Sequence, residues 1–334
     1  MNPRPSLSCA LPPGRGVAEQ AAHAERLGYE RVWLFDSPAM FTDVWAAMVR
    51  VAEATSTIGL GTGVAVPSLR HPMVTASAVL AVEDIAPGRL SVGFGTGFTA
   101  RYAMGQRPLD WATMRRYVEQ VRALLAGKVV EIDGSAAQLV YAPGFGPSLP
   151  VEVPIWLAVS GPKGFDAARS LGVDGILVMA PPRDQPSWRQ CGLLRSGTVL
   201  RPGETASSPR VVDAAGLAYA LNYHAVWEVA RPALANMPGG AEWLEAIERE
   251  RPEGERHLAV HEGHLHVLTK RDRILVERAG DAILAAGWNG TPSEIAARYE
   301  EAGRAGITEV LHIVTGPDIG AELEAFATVA RHGT

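Results

Sequence analysis

The sequence predicts an α/β protein built as a closed (β/α)8 TIM barrel, with a helical segment inserted before the last strand. Three observations predict it. Short apolar runs of strand length begin near residues 7, 31, 58, 90, 154, 174, 211 and 309. Helix-length stretches follow most of them, the alternation that makes a parallel sheet. The runs number eight, which favours a closed barrel over an open doubly wound sheet.

Leu7 to Ala10 is the first strand, and Val17 to Leu27 an amphipathic helix stopped by Gly28. Arg31 to Phe35 is a short apolar run, the pattern of a strand covered on both faces. Asp43 is placed to cap a helix running to about Thr55. Ile58 to Val66 is strand three, and Pro72 opens a helix that ends near Ile85. GRLSVGFGTG (88–97) gives strand four, followed by a helix from Trp111 to Leu125 and a hairpin from Val129 to Tyr141. VPIWLAVSGPKG (153–164) is a strand that runs into a glycine-rich turn, then a helix over Phe165 to Leu171. DGILVMAPP (174–182) is strand six, and Val211 to Ala220 reads as strand seven. A helix over Ser293 to Ala302, a strand at Glu309 to Val314 and a helix from Ile319 complete the pattern.

Residues 1–334 read as a single barrel domain, with about 221–290 as a lid-like insertion within it. Residues 183 to 285 are expected to shape the substrate pocket. The insertion carries His257, His261, His264 and His266 in a polar stretch. Their spacing matches no closed zinc motif, so the expectation is a solvated face and no metal.

Composition narrows the function. The chain is 47% hydrophobic and 20% charged, ordinary for a soluble enzyme, and its net charge is -5. No Lys/Arg run appears, which argues against nucleic acid as a partner. No apolar stretch approaches the ~18 residues of a membrane span, and MNPRPSLSCALPPG lacks a signal core, so the expected location is cytoplasmic. Cys9 and Cys191 have no metal-ligand spacing and read as buried free thiols. Trp33, Trp45 and Trp156 read as core, with pocket lining as the alternative for Trp45.

The functional signal lies in glycines at strand ends. GLGTGVAVPSLRHP (59–72) reads as a buried strand weakened by Gly59, Gly61 and Gly63. Gly95, Thr96 and Gly97 end strand four, and Ser160, Gly161 and Gly164 end strand five. Strand carboxyl ends form the active face of such a barrel, and three glycine-rich ends there suggest a large flat ligand close to backbone. SGPKG also joins a strand to a helix start, where free N–H groups favour an anion and Lys163 adds charge.

GLGTGVAVPSLRHP, GRLSVGFGTGFTARYAMG, VPIWLAVSGPKG and GTPSEIAARYEEAGRAGITEVLHI together resemble the luciferase-like monooxygenase superfamily. The resemblance is strongest to its methylenetetrahydromethanopterin-reductase branch of deazaflavin-dependent enzymes. It implies a luciferase-like barrel that binds coenzyme F420, with FMN as the alternative. It further implies a bulge in strand three with a non-prolyl cis peptide at Gly63-Val64, where Gly63, Val64 and Ala65 back the tricyclic ring. Thr96 and Gly97 would border the cofactor, and Ser160, Gly161, Pro162, Lys163 and Gly164 would hold its phosphate.

Two activities fit the resemblance. One is hydride transfer between F420 and a small organic substrate. The other is an FMNH2-dependent monooxygenase fed by a partner flavin reductase. A flavin-binding barrel without catalysis is the third reading, and a homodimer is implied throughout. Many deazaflavin-dependent dehydrogenases carry Asp-His after strand two and an acid after the strand-four glycines. This chain has Asp36-Ser37 and Phe98 there. The pterin reductases carry a carboxylate at the end of strand one, where this chain reads Ser8-Cys9-Ala10-Leu11. Asp36, Ser37 and His71 remain the candidate catalytic residues, and His312 could face either core or pocket.

Overall fold

The computed structural model describes residues 4–182 and 188–331. Eight parallel strands close into a barrel in chain order: β1 (Ser6–Leu11), β2 (Arg31–Leu34), β3 (Gly59–Ala65), β4 (Leu90–Phe94), β7 (Ile155–Ala158), β8 (Gly175–Val178), β9 (Cys191–Ser196) and β10 (Glu309–Ile313). The hairpin β5 (Val130–Ile132) and β6 (Ser135–Ala137) stands outside the barrel. Helices α1 (Val17–Arg26), α2 (Val44–Ala54), α3 (Pro72–Ile85), α5 (Trp111–Leu125), α6 (Gly161–Leu171), α11 (Pro292–Arg304) and α12 (Ile319–Arg331) accompany the strands, with the short α4 (Phe98–Tyr102) after β4.

One strand assignment is corrected. Val211 to Ala220 lies inside α7 (Pro209–Ala230), a helix of 22 residues. Residues 214, 215, 216, 217, 218 and 220 are all buried there, so the amphipathic period that marks a helix is erased. Pro209 in the first turn and the repeated alanines are the helical signals. The true seventh barrel strand, β9, is short and ends in Arg195-Ser196, which disguises it. Gly192 in β9 is required by packing, because a Cβ there would lie 2.8 Å from both Leu177 and Leu311.

Packing inside the barrel explains most of its glycines. The indoles of Trp33 and Trp156 meet edge to face at 5.3 Å between centroids, and Leu177, Leu311, Ala10 and Ile313 fill the space around them. A Cβ at Gly61 would lie 2.4 Å from the Trp33 ring, and one at Gly175 would lie 2.5 Å from Trp156. Large and small residues thus alternate between neighbouring strands, as β2–β3 pairing sets Trp33 beside Gly61 and β7–β8 pairing sets Trp156 beside Gly175. Interior density requires the glycines. At the amino ends of the strands Glu309 accepts from Arg31 at 2.7 Å and from Trp33 Nε1 at 2.8 Å. The Arg31 guanidinium also lies 5.2 Å from the Trp33 ring and 5.7 Å from Trp156, a cation–π stack that closes the barrel floor.

Cys9 and Cys191 are buried and free, and burial pushes the Cys191 thiol up to about 12. His312 points out of the barrel, not into it. It stacks on Phe326 at 3.5 Å between centroids, and its Nε2 pairs with the Gly197 carbonyl at 3.2 Å. Burial pulls its pKa from 6.5 down to about 3, with the Gly197 carbonyl opposing. The folded chain therefore keeps His312 neutral while the unfolded chain protonates it below pH 6.5, so this residue makes stability fall as pH falls from about 6.5 to about 3. The expected slope is at most about 1.4 kcal/mol per pH unit. Urea unfolding of His312→Gln at pH 7 and pH 5 should show a smaller acid loss than the parent chain, and an unchanged slope would reject this assignment.

Between β9 and β10, α7 joins α8 (Gly240–Glu250), α9 (Arg256–His261) and α10 (Lys270–Ala279) around a second core centred on Tyr223, Trp227, Trp243, Ile247 and Leu275. The reading of the histidines as a solvated face is corrected for two of them. His266 is exposed and His257 half-buried, but His261 and His264 are 4% and 5% exposed. α9 ends at His261, and the turn after it faces both rings toward His224 of α7. The sequence spacing concealed this because His224 lies in a different helix.

Candidate active site

The carboxyl ends of β2, β3, β4 and β7 carry the predicted site residues. Asp36 follows β2 and is 3% exposed. Its Oδ2 accepts from Arg70 at 2.7 Å and from the Val66 backbone N–H at 3.2 Å. Arg70 extends the bridge to Asp43 Oδ2 at 2.5 Å. Burial raises the Asp36 carboxyl above the usual range, against the pull of Arg70, and its Oδ1 is buried without a partner among the described residues. Asp36 therefore ties the end of β2 to the segment that follows β3. Ser37 is buried beside it, and its carbonyl accepts from the Met40 and Phe41 N–H groups, which turns the loop.

The Gly63-Val64 peptide is cis. Gly63 pairs with Gly93 and Ala65 with Phe94, so Val64 is the extra residue of a bulge between β3 and β4. Its side chain is half-buried against the barrel's interior cluster. A Cβ at Gly95 would lie 2.4 Å from Val64 Cγ2, and one at Gly97 would lie 2.6 Å from Val66 Cγ1. Gly97 is also left-handed, at φ +82°. The glycines that end β4 thus admit the valines of the bulge. Thr96 is half-buried between them, and its carbonyl accepts from Leu109 N–H at 2.9 Å.

These contacts revise the reading of strand-end glycines as room for a ligand. Trp33 occupies the space at Gly61, its Cβ lies 3.0 Å from a Cβ at Gly63, and Trp111 lies 3.0 Å from one at Gly164. Gly161 is different. Its φ is +67°, and among the described residues nothing lies within 4 Å of where a Cβ would be. It opens α6, whose N-cap residue Ser160 makes no side-chain capping bond, whereas Asp43 caps α2 and Asp110 caps α5. Ser160, Gly161, Pro162 and Lys163 are exposed, so this helix start is open to an anion.

His71 has a capping role. It is the exposed N-cap of α3, and its Nδ1 accepts from Met73 N–H at 3.2 Å. Two contributors were not read from the sequence. Arg70 clamps Asp36 and Asp43, and its only sequence signal was its place beside His71. Leu265, left-handed at φ +59°, reaches from the inserted helices to pack on the same interior cluster as Val64, Phe35, Ala158 and Leu194. Nothing local marks that contact. Residues 183–187, part of the stretch expected to shape the pocket, lie outside the described residues.

One family model, luciferase-like monooxygenase, matches residues 3–309 and so spans the bulged strand, the open helix start and most of the barrel. The chain belongs to the luciferase-like monooxygenase family. Within it, the chain is 29% identical to a 5,10-methylenetetrahydromethanopterin reductase of Archaeoglobus fulgidus over 89% of this chain and 88% of that one. It is 33% identical to the enzyme of the same name from Methanolobus tindarius, a match spanning about half of either protein (50% and 51%). An F420-dependent glucose-6-phosphate dehydrogenase of Beutenbergia cavernae is 32% identical over 46% of this chain and 49% of its own length. Among solved structures, the coenzyme F420-dependent tetrahydromethanopterin reductase of Methanopyrus kandleri superposes with a TM-score of 0.64 at 19% identity, covering 97% of this chain and 98% of that one. That likeness carries the luciferase-like fold. Among the described residues no helix is long and apolar enough to cross a membrane.

Proposed function

We propose that this luciferase-like barrel is an oxidoreductase that uses coenzyme F420 to pass a hydride to or from a small organic substrate. The observation that carries the proposal is the bulge at Val64 on the same barrel face as the uncapped, open start of α6. The relatives named as F420-dependent or as methylenetetrahydromethanopterin reductases support it. The residues present fit such a cofactor: Gly161 leaves its backbone open, and Ser160 leaves its hydroxyl outside any cap.

Gly63, Val64 and Ala65 would back the ring, and Thr96 and Gly97 would border it. The SGPKG turn would hold the phosphate end: Ser160, Gly161, Lys163 and Gly164 through backbone N–H groups, Lys163 also by its charge, and Pro162 by fixing the first turn of the helix. When bound, the deazaflavin supplies a hydride-accepting or hydride-donating carbon with little reactivity toward oxygen. The chain's own part is placement. Asp36 is a positioning residue: through Val66 N–H and Arg70 it holds the segment beyond the bulge. Phe98, Val64 and Leu265 supply apolar surface at the mouth that limits water. His71 serves α3, and Ser37 its own loop. We extend the proposal to a homodimer with a separate supply of reduced cofactor, since no second nucleotide fingerprint appears in the chain. Exposed Val140 and Phe145 supply apolar surface for pairing, and light scattering of the purified chain measures it.

Titration with F420 and with FMN, followed by fluorescence, tests the reading. F420 is expected to bind at least tenfold more tightly, and preference for FMN would favour the monooxygenase. Gly161→Val should remove F420 binding, because the side chain enters the open backbone face and resists φ +67°. Lys163→Ala should weaken it only about 2–5-fold, the size of a charge at a helix start. Normal binding by Gly161→Val would reject the phosphate assignment.

A further inference from the structure

The inserted helices carry a second cluster that the proposed reaction does not use. His224 of α7, His261 of α9 and His264 in the following turn are all buried, and one ring nitrogen from each lies within 4.8 Å of the other two. His224 Nδ1 and His264 Nδ1 are 3.0 Å apart. The Nδ1 of His261 is buried and has no hydrogen-bond partner among the described residues.

We propose that His224, His261 and His264 form a three-imidazole site for a divalent transition-metal ion of the zinc class, which fixes the inserted helices over the barrel mouth. The outward nitrogens are already occupied as such a site requires. His224 Nε2 faces Asp272 Oδ1 at 3.4 Å, and His261 Nε2 faces Glu228 Oε1 at 3.1 Å. With Nε2–H donating to a carboxylate, each of these rings keeps its Nδ1 lone pair free for a metal, and the carboxylate orients the ring and raises its basicity. Asp272 is itself held by Trp243 Nε1 at 3.0 Å and by Thr269 Oγ1 at 2.8 Å. The two carboxylates balance the charge of a dication inside the insertion's core, where the buried Arg271 is already paired with Glu250 and Glu262. Neutral imidazoles select zinc-class ions over magnesium or calcium, which take oxygen ligands. Three protein ligands leave a fourth tetrahedral position for water.

The ligands come from two helices and a turn, and Leu265 is next to His264. A bound ion would therefore cross-link α7 to the turn that seats Leu265 on the interior cluster shared with Val64. His257 acts in the same direction, since its ring lies 3.3 Å from where a Cβ on Gly105 would be, just beyond α4. The assignment does not depend on which cofactor the barrel takes.

Zinc chloride titrated into the chelator-treated full chain by calorimetry tests it. Expected are one zinc per chain, a rise in Tm, and slower cleavage of residues 256–267 by a protease. Cobalt chloride in place of zinc should give the visible absorption of a tetrahedral site. His261→Gln and His264→Gln should lose the stoichiometric binding and the Tm rise. Glu228→Gln, which keeps all three ligands, should weaken zinc roughly 10–100-fold. No one-to-one binding by the parent chain would overturn the proposal, whatever the variants do. Binding that survives unchanged in both histidine variants would place the ion elsewhere and overturn it equally.

Discussion

Glu309→Ala is expected to lower the stability of the folded chain by about 3–5 kcal/mol, the usual cost of removing one partner from a buried ion pair. Glu309 is 3% exposed, and its two oxygens receive Arg31 Nη1 and Trp33 Nε1 separately. Truncation leaves a guanidinium on the barrel floor and an indole N–H without an acceptor. Neither is easily rehydrated, because Arg31 is wedged against both tryptophan rings. Glu309→Gln keeps an acceptor for Trp33 and should cost less than Glu309→Ala. Arg31→Met/Glu309→Leu, which removes both charges, should recover much of the loss. Urea unfolding at pH 7 measures all three. A loss under about 1 kcal/mol in Glu309→Ala would mean that water reaches the floor and that the pair behaves as a surface salt bridge. Cofactor affinity per folded molecule should hold, since Glu309 lies at the opposite end of the strands from the site.

Gly61→Ala is expected to destabilise by about 3 kcal/mol, at the upper end for adding one carbon to a packed core. The added methyl would lie 2.4 Å from the Trp33 ring. That ring has little freedom to withdraw, since its Nε1 is bonded to Glu309 and it meets Trp156 edge to face. Trp33→Leu opens a cavity and is destabilising alone, but in the Gly61→Ala background the two changes should compensate by at least about 1 kcal/mol in a double-mutant cycle. Additive losses would show that the indole is not what excludes a side chain at residue 61. The same variant separates two explanations of the strand-three glycines. If Gly61 existed to admit a ligand, Gly61→Ala would weaken cofactor binding and leave unfolding untouched.

Much of the fold was legible because buried parallel strands and their helices leave strong local patterns. Seven of the eight barrel strands were found, and the hairpin and most helix boundaries lay within a few residues. The seventh strand was missed for a definable reason. Its place was given to α7, a helix buried so widely that its sequence is apolar without period, while β9 has a polar end and a glycine at residue 192. The resemblance located the bulge, and Val64 is the bulged residue. What it did not convey was why glycines surround that bulge. A glycine can make room for a ligand, a turn or a neighbour's ring, and only coordinates tell these apart. Gly61, Gly95 and Gly97 accommodate Trp33, Val64 and Val66, whereas Gly161 stays open.

The histidines show the same limit. Their spacing within one segment suggested solvated side chains, yet His261 and His264 are buried with His224 from another helix. Asp36 was legible as a strand-end carboxyl, but its partners Arg70 and Val66 come from the next βα unit.

By itself the sequence determined most of the repeating βα architecture and the helix start suited to an anion, because each rests on near neighbours in the chain; the position of the bulge came through the family resemblance. Tertiary structure alone decided which glycines face side chains and which face open space. It also decided that Leu265 caps the barrel mouth, that Glu309 closes its floor, and that three histidines from two parts of the insertion meet. Those outcomes depend on contacts between residues far apart in sequence, and no local pattern encodes which distant side chain will fill a given space.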